Sequence, residues 1–332
     1  MKNNRISLYD SSKAKKINET TLKLFKKYNI ELNLRELSEK TIHQYYYDLM
    51  SWWIYVLDNQ SNVSVLDLDE DDITEFLFFC KQQGNSTRRM KRRMASISAF
   101  YKFLKKKRLI NFNPMDCIDR PKKDVNVNVQ TFLSEEQVSN LKLKLDELIK
   151  EYSYKGILNQ HIALQYKTFC LIALSTMARV NAVSSLTWEQ CDLINRTFDD
   201  VIEKEGYVVT LYFSEEVKEM LLLLKRFRKD NDINDNGYIL VAQTFDGETP
   251  VFNKSKPDTL WRWTKRIGKL INVPELHPHD FRHTGATILK NKGMALEDVS
   301  QLLNHQSTDV TNKFYIKADK KIISENKDKY LW

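Results

Sequence analysis

Apolar residues recur at helical spacing in three consecutive segments between Ser38 and Arg108, and this rhythm constrains the fold more than any other feature. In SEKTIHQYYYDLMSWWIYVL, Ile42, Tyr45, Leu49, Trp52 and Trp53 fall at that spacing, and Ser38 and Thr41 suit the start of a helix. DEDDITEFLFFCKQQG predicts a second helix, with acids in its first turn and Gly84 as its stop. STRRMKRRMASISAFYKFLKKKR predicts a third. The rhythm breaks at NFNPMDCIDRPKK, where Pro114 and Pro121 act as punctuation. A polar, partly extended stretch follows, and a new helix opens at LSEEQVSNL, where Ser134 can cap and Gln137 lies three residues on. The expected organisation is an N-terminal extension over 1–37, helical in part around Glu19–Tyr28, then a helical domain over 38–120. A linker over 121–130 leads to a second, mainly helical domain over 131–332. In that domain GYVVTLYF alternates and carries β-branched and aromatic residues, so a short β insert is expected near Val201–Phe213. The fold class is mainly α, in two domains, with a small β-sheet in the second.

No run of eighteen apolar residues occurs in the 332, so no membrane-spanning helix is expected. MKNNRISLYDSSKAKK lacks the apolar core of a signal peptide. Cys80, Cys117, Cys170 and Cys191 lie far apart and form no CxxC pair, which fits a reducing cytoplasm. The net charge of +8 favours a polyanionic partner, and its distribution carries more information than its size. From Asn85 to Arg108 there are ten Lys or Arg and no acid. On a helix Met90, Met94, Ile97, Tyr101 and Leu104 share one face, while Arg88, Lys91, Arg92 and Lys102 fall off it. A solvated charged face would explain such a helix, but an acid-free run of this length beside a linker favours nucleic acid. Arg88, Arg89, Lys91, Arg92 and Lys102 are the candidate phosphate contacts, and binding through them should weaken steeply with salt.

HPHDFRHTG, from His277 to Gly285, concentrates three of the six histidines around one arginine. Pro278 suits the first position of a helix, which puts His279, Arg282 and His283 on one face at i, i+3 and i+4. Free N–H groups in that first turn favour an anion, and the planar fork of Arg282 matches phosphate oxygens. Three readings compete. His279 and His283 have the spacing of a metal pair, but a guanidinium between them would crowd a dication and no HExxH occurs. Histidines packing and capping in a core would leave His283 with a structural role. The phosphate reading uses His279 and Arg282 together. Downstream, GMALEDVSQLLNH predicts a helix with Leu296, Val299, Leu302 and Leu303 inward, ending near His305, and Tyr315 follows ten residues later. Upstream, an apolar helix is interrupted by Arg179, which taken alone reads as an ion-pair or cap residue.

Together these pieces resemble the tyrosine recombinase, or phage integrase, family. The resemblance rests on ALSTMARVNAVSSLTW, HDFRHTGAT, LLNH and Tyr315 in that order, and on the basic helix and NP-to-Pro linker before them. It covers about 38–325. Three departures stand out: Ala182 where the family usually has Glu, Met177 where Gly is common, and Asn304 for the Gly of L-G-H.

The resemblance implies DNA phosphoryl transfer with no cofactor and no metal. In the family a tyrosine hydroxyl attacks a phosphodiester, making a 3′-phosphotyrosyl link and freeing a 5′-hydroxyl. It assigns Tyr315 as nucleophile, Arg179 and Arg282 as clamps on the non-bridging oxygens, and His305 as a further donor. His279 becomes the candidate base, and Lys204 the acid for the leaving oxygen, with Lys218 just beyond the same insert as the other lysine. It also implies double-stranded DNA at a specific recombination site as the partner. The apolar tail Ile316–Trp332 would dock on a neighbouring subunit in a homo-tetramer, and a cell-division DNA translocase is a further expected partner. An Xer-like role in resolving chromosome dimers is preferred, because the short segment before residue 38 leaves little room for the extra arm-binding domain of many phage integrases. Integration or excision of a mobile element is the alternative within the family. A non-catalytic DNA-binding protein is the alternative outside it; a topoisomerase-like enzyme would share the residues but need no fixed site.

Overall fold

The structure, a computed structural model, describes residues 8–122, 132–203 and 206–303. The chain divides into two compact units, Met1–Asn128 and Val129–Trp332. The first is helical: α1 (Ser11–Ala14), α2 (Glu19–Leu34), α3 (Glu39–Asn59), α4 (Glu70–Gln82) and α5 (Thr87–Lys106), closed by a 3₁₀ turn at Pro114–Cys117. The starts of the three helices expected here are capped by side chains. Ser38 accepts from the Thr41 N–H at 3.3 Å, Asp69 from the Asp72 N–H at 3.0 Å, and Ser86 from the Arg89 N–H at 3.4 Å.

The apolar faces of these helices meet in one core. Trp52 and Trp53 of α3, Phe76 of α4, and Ile97, Phe100, Tyr101 and Leu104 of α5 are all buried. Each such aliphatic or Phe side chain contributes roughly 1.5–3 kcal/mol by leaving water. The segment before residue 38 joins the same core. Its Lys/Asn-rich composition sets it apart as an extension, yet α2 sends Leu24, Phe25, Tyr28 and Leu32 inward, and Tyr28 packs edge-on against Phe100. The four apolar positions keep helical spacing inside a polar sequence, and that spacing, not mean polarity, decides burial.

The second unit holds α6 (Glu135–Ser153), α7 (Ile157–Thr176), α8 (Val180–Val183), α9 (Glu215–Asp230), α10 (Pro257–Leu270), α11 (Pro278–Asn291) and α12 (Leu296–Leu302). The expected capping box opens α6: Ser134 and Gln137 exchange bonds of 3.1 and 2.9 Å. Helix α7 is apolar nearly all round and is the centre of the unit, with α6, α9 and α11 packed on it. Arg228 of α9 is buried against it, donating to Gln165, His161, Asp235 and two backbone carbonyls. Burial beside that guanidinium pushes the His161 imidazole down to about 3, so it stays neutral.

Two small antiparallel sheets complete the unit. Strands β1 (Cys191–Asp192), β2 (Thr197–Ile202) and β3 (Val208–Tyr212) form the insert expected near Val201–Phe213, with a bulge between Phe198 and Val201. A second hairpin, β4 (Val241–Asp246) with β5 (Thr249–Lys254), was not expected. Its signal is Gly247, which takes φ 58° as the first of the two turn residues, Gly247 and Glu248.

Candidate active site

Helix α11 carries the histidine cluster and begins at Pro278, as the proline predicts. The Asp280 carboxylate accepts from the His277 N–H at 2.7 Å and so fixes the first turn. Phe281 points into the core and Arg282 lies almost as deep, at 5 % exposure. The close seating of α11 on α7 depends on Gly285. A Cβ there would lie 2.3 Å from the Leu174 carbonyl oxygen and 2.7 Å from Met177 Cγ.

At that contact α7 ends. Met177 takes the left-handed conformation, φ 53°, which turns the chain sharply before Arg179. Glycine would make the same turn without strain, which is why the departure at Met177 is tolerated but not free. The turn aims the Met177 carbonyl at α11, where it accepts from Arg282 Nη1 at 2.6 Å. Arg282 Nη2 donates to the Leu303 carbonyl at the end of α12. One guanidinium therefore ties three segments together: the turn that leads to Arg179, the histidine helix, and the residue two positions before His305.

Arg179 caps α8 with extended backbone, and its side chain is 31 % exposed. Its Nη1 donates to Glu203 Oε2, and its N–H donates to Glu203 Oε1 at 3.5 Å. Sequence reasoning missed Glu203. It directly precedes Lys204 but carries no signal of its own, and it meets Arg179 only because the end of β2 returns beside α8. Partial burial, then the guanidinium groups of Arg282 and Arg179, hold the His279 imidazole below its ordinary value, with Asp280 opposing. His283 is also lowered, by burial and then by His279, and is half-buried. The His279 imidazole thus lies within electrostatic reach of both guanidiniums, a grouping suited to an oxyanion. Among the described residues no three His, Cys, Asp or Glu side chains gather as metal ligands.

Lys204, His305 and Tyr315, with Asn304 and the tail 316–332, lie outside the described residues. The alternative lysine, Lys218, pairs with Glu215 of its own helix at 3.3 Å. On α5, all five apolar positions, Met90, Met94, Ile97, Tyr101 and Leu104, are buried. Arg88 and Lys102 are exposed, and Arg89 and Lys91 are half-buried. Arg92 keeps part of its surface, but its Nε and Nη2 hold the buried Asp48 of α3 at 3.0 and 2.9 Å. Arg93 turns inward against the Phe76 ring, so the basic helix spends one charge in the core.

Residues 122–321 match the sequence model of the Phage integrase family, and residues 25–108 match that of the Phage integrase N-terminal SAM-like domain. A tyrosine recombinase of Thermosipho africanus is 26 % identical over 302 residues, covering 86 % of this chain and 92 % of the relative. Tyrosine recombinase XerC of Pediococcus pentosaceus is 23 % identical, covering 93 % and 97 %. XerD of Oceanobacillus iheyensis is 24 % identical, covering 84 % and 88 %. Among solved structures, the XerH site-specific recombinase in a post-cleavage complex with its DNA superposes with a TM-score of 0.65 at 16 % identity, covering 88 % of this chain and 81 % of that one. The Tn1549 transposon integrase bound to transposon-end DNA gives 0.63 at 18 % identity, covering 93 % and 99 %. These structural likenesses show the fold, mainly α with small sheets.

Proposed function

We propose, from the premise that this chain belongs to the phage integrase family of tyrosine recombinases and is a DNA-cleaving and rejoining enzyme, that Arg179, His279 and Arg282 form the phosphate-holding part of its active site. The observation that carries this reading is the Arg282 clamp. It joins the turn before Arg179 to the end of α12, two residues before His305, so motifs more than a hundred residues apart in sequence converge. Tyr315 is the nucleophile. Its oxygen bonds to phosphorus as the bond from phosphorus to the 5′-oxygen breaks, and Lys204 gives that oxygen its proton. A second DNA 5′-hydroxyl then reverses the step, so one ester replaces another. Arg179, Arg282 and His305 meet the charge that builds on the non-bridging oxygens, and each such donor is worth about 10²–10³ in rate. Arg88, Arg89, Lys91, Arg92 and Lys102 contact the DNA backbone, Arg92 through the donors that Asp48 leaves it.

His279 is the base that takes the Tyr315 proton, from a phenol whose free pKa is roughly 10. Its folded pKa lies below the ordinary 6.5, so the neutral imidazole persists at and above neutrality. Activity through this base is lost only as pH falls through that lowered value. Single-turnover cleavage should therefore hold its rate above neutrality and fall along an acid limb set by this imidazole. An acid limb that persists unchanged in His279→Gln would remove His279 from the role.

The biological role we propose is Xer-like: resolution of chromosome dimers at a fixed site, in the cytoplasm, by a homo-tetramer linked through its C-terminal tails and helped by a cell-division DNA translocase. Support comes from near-full-length similarity to XerC and XerD relatives. The test is a covalent trap. Wild type and Tyr315→Phe are mixed with nicked DNA fragments of the source genome in EDTA, and SDS-resistant species are identified by mass. An adduct on Tyr315, absent from the variant, is expected, and sequencing its DNA gives the site. Salt-sensitive binding with no adduct would make the chain a binding protein. A site within a mobile element would replace the Xer role with integration or excision.

A further inference from the structure

We infer that Glu203 is a positioning residue of this site: a carboxylate from the β2–β3 hairpin that holds Arg179 by main chain and guanidinium together. The inference rests on the phosphate-holding role proposed for Arg179. The Glu203 side chain is 2 % exposed. Burying a carboxylate that deep is costly unless it is paired and hydrogen-bonded. Among the described residues its partner is Arg179, through the Nη1 contact and through the Arg179 N–H at 3.5 Å. The two contacts fix both ends of the arginine. Its guanidinium carries five donors in a rigid fork, so one donor on Glu203 leaves the outward edge for phosphate oxygens.

Glu203 is itself held by the hairpin. Its N–H donates to the Tyr207 carbonyl at 2.8 Å, and its own carbonyl accepts from Gly206 at 3.2 Å. The residue that grips Arg179 is therefore also the one that pairs the strands on either side of 204–205. Any displacement of the hairpin end acts on the arginine. The position three residues after Arg179, on the short helix it caps, is Ala182, whose side chain has no polar atom to offer. The carboxylate that steadies this arginine comes from another element altogether.

The experiment uses full-length protein on a nicked duplex bearing the site sequenced from the wild-type adduct. Single-turnover cleavage at saturating protein is measured for wild type, Glu203→Ala, Glu203→Gln and the double variant Glu203→Ala with Ala182→Glu, beside DNA affinity and thermal midpoint. Glu203→Ala should cleave about 10- to 100-fold more slowly, as a misplaced reacting group does, while binding DNA as tightly as wild type. Glu203→Gln, which keeps an acceptor without the charge, should lie between the two. Glutamate at 182, within i,i+3 reach of Arg179, should restore part of the lost rate. A Glu203→Ala rate equal to or above wild type overturns the inference. So does a slow variant that neither Gln at 203 nor Glu at 182 improves, because a merely structural loss behaves that way. If wild type forms no Tyr315 adduct, the proposed function itself fails, and the inference falls with it. An active wild type with an indifferent Glu203 removes the inference alone.

Discussion

Arg282→Ala will lose cleavage by at least about 10²–10³ and will also melt at a lower temperature than wild type. The two losses have separate causes. The rate loss follows, on the phosphate-holding role proposed for Arg282, from removing a fixed positive fork where charge builds on phosphate. The stability loss follows from the bonds to the Met177 and Leu303 carbonyls. Removing the guanidinium leaves two inward-facing acceptors without it, at about 1–3 kcal/mol each. For a unit of this size each kcal/mol lowers the midpoint by about 2–4 °C. Arg282→Lys separates the two effects. An ammonium keeps the charge but cannot span two carbonyls and a phosphate with one planar fork. It should recover part of the stability and little of the rate. A thermal scan beside single-turnover cleavage decides the matter. An Arg282→Ala protein that melts with wild type would mean that the clamp does not hold these segments.

Gly285→Ala is the second large effect, from one methyl group. The added carbon would lie 2.3 Å from the Leu174 carbonyl oxygen, where contacts under 3.0 Å are essentially never seen. Leu174 is on the last turn of α7, so relief requires α11 to move off α7 by about 1 Å, and forced overpacking of this kind costs about 1–3 kcal/mol. Arg282 and His279 ride on the displaced helix, while Arg179 stays with the end of α7. A shift of that size between reacting groups costs about 10²-fold in rate. The variant should thus bind DNA through its first unit while cleaving about a hundredfold more slowly. A single-turnover rate equal to wild type would show that the two helices are not seated as described.

The helices of the first unit were legible because each repeats a local signal: apolar spacing at 3.6 residues and a capping side chain at its start. The same holds for the Ser134–Gln137 box on α6 and for Pro278 at the head of α11. The series Arg179, His279, Arg282, His305 and Tyr315 came from the family resemblance, because none of these side chains taken alone distinguishes a phosphate contact from an ordinary cap, ion pair or core residue. The inward turn of α2 was hidden by polar composition, though its apolar spacing was there to be read. The β4–β5 hairpin was hidden because two short strands carry little periodic signal beyond one glycine in the turn.

Other features exist only in three dimensions. Nothing near Asp48 or Arg92 in sequence announces their pairing, which arises because α3 and α5 cross with both residues at the contact. The grip of Glu203 on Arg179 and the bonds from Arg282 to the ends of two other segments are of the same kind. The sequence by itself determined where the three helices from Ser38 to Arg108 lie and which faces they bury, since those follow from short-range periodicity and capping side chains. The tertiary structure decided which carboxylate steadies which arginine and which carbonyls hold Arg282, because the partners of a buried charge are chosen by how the chain folds back on itself.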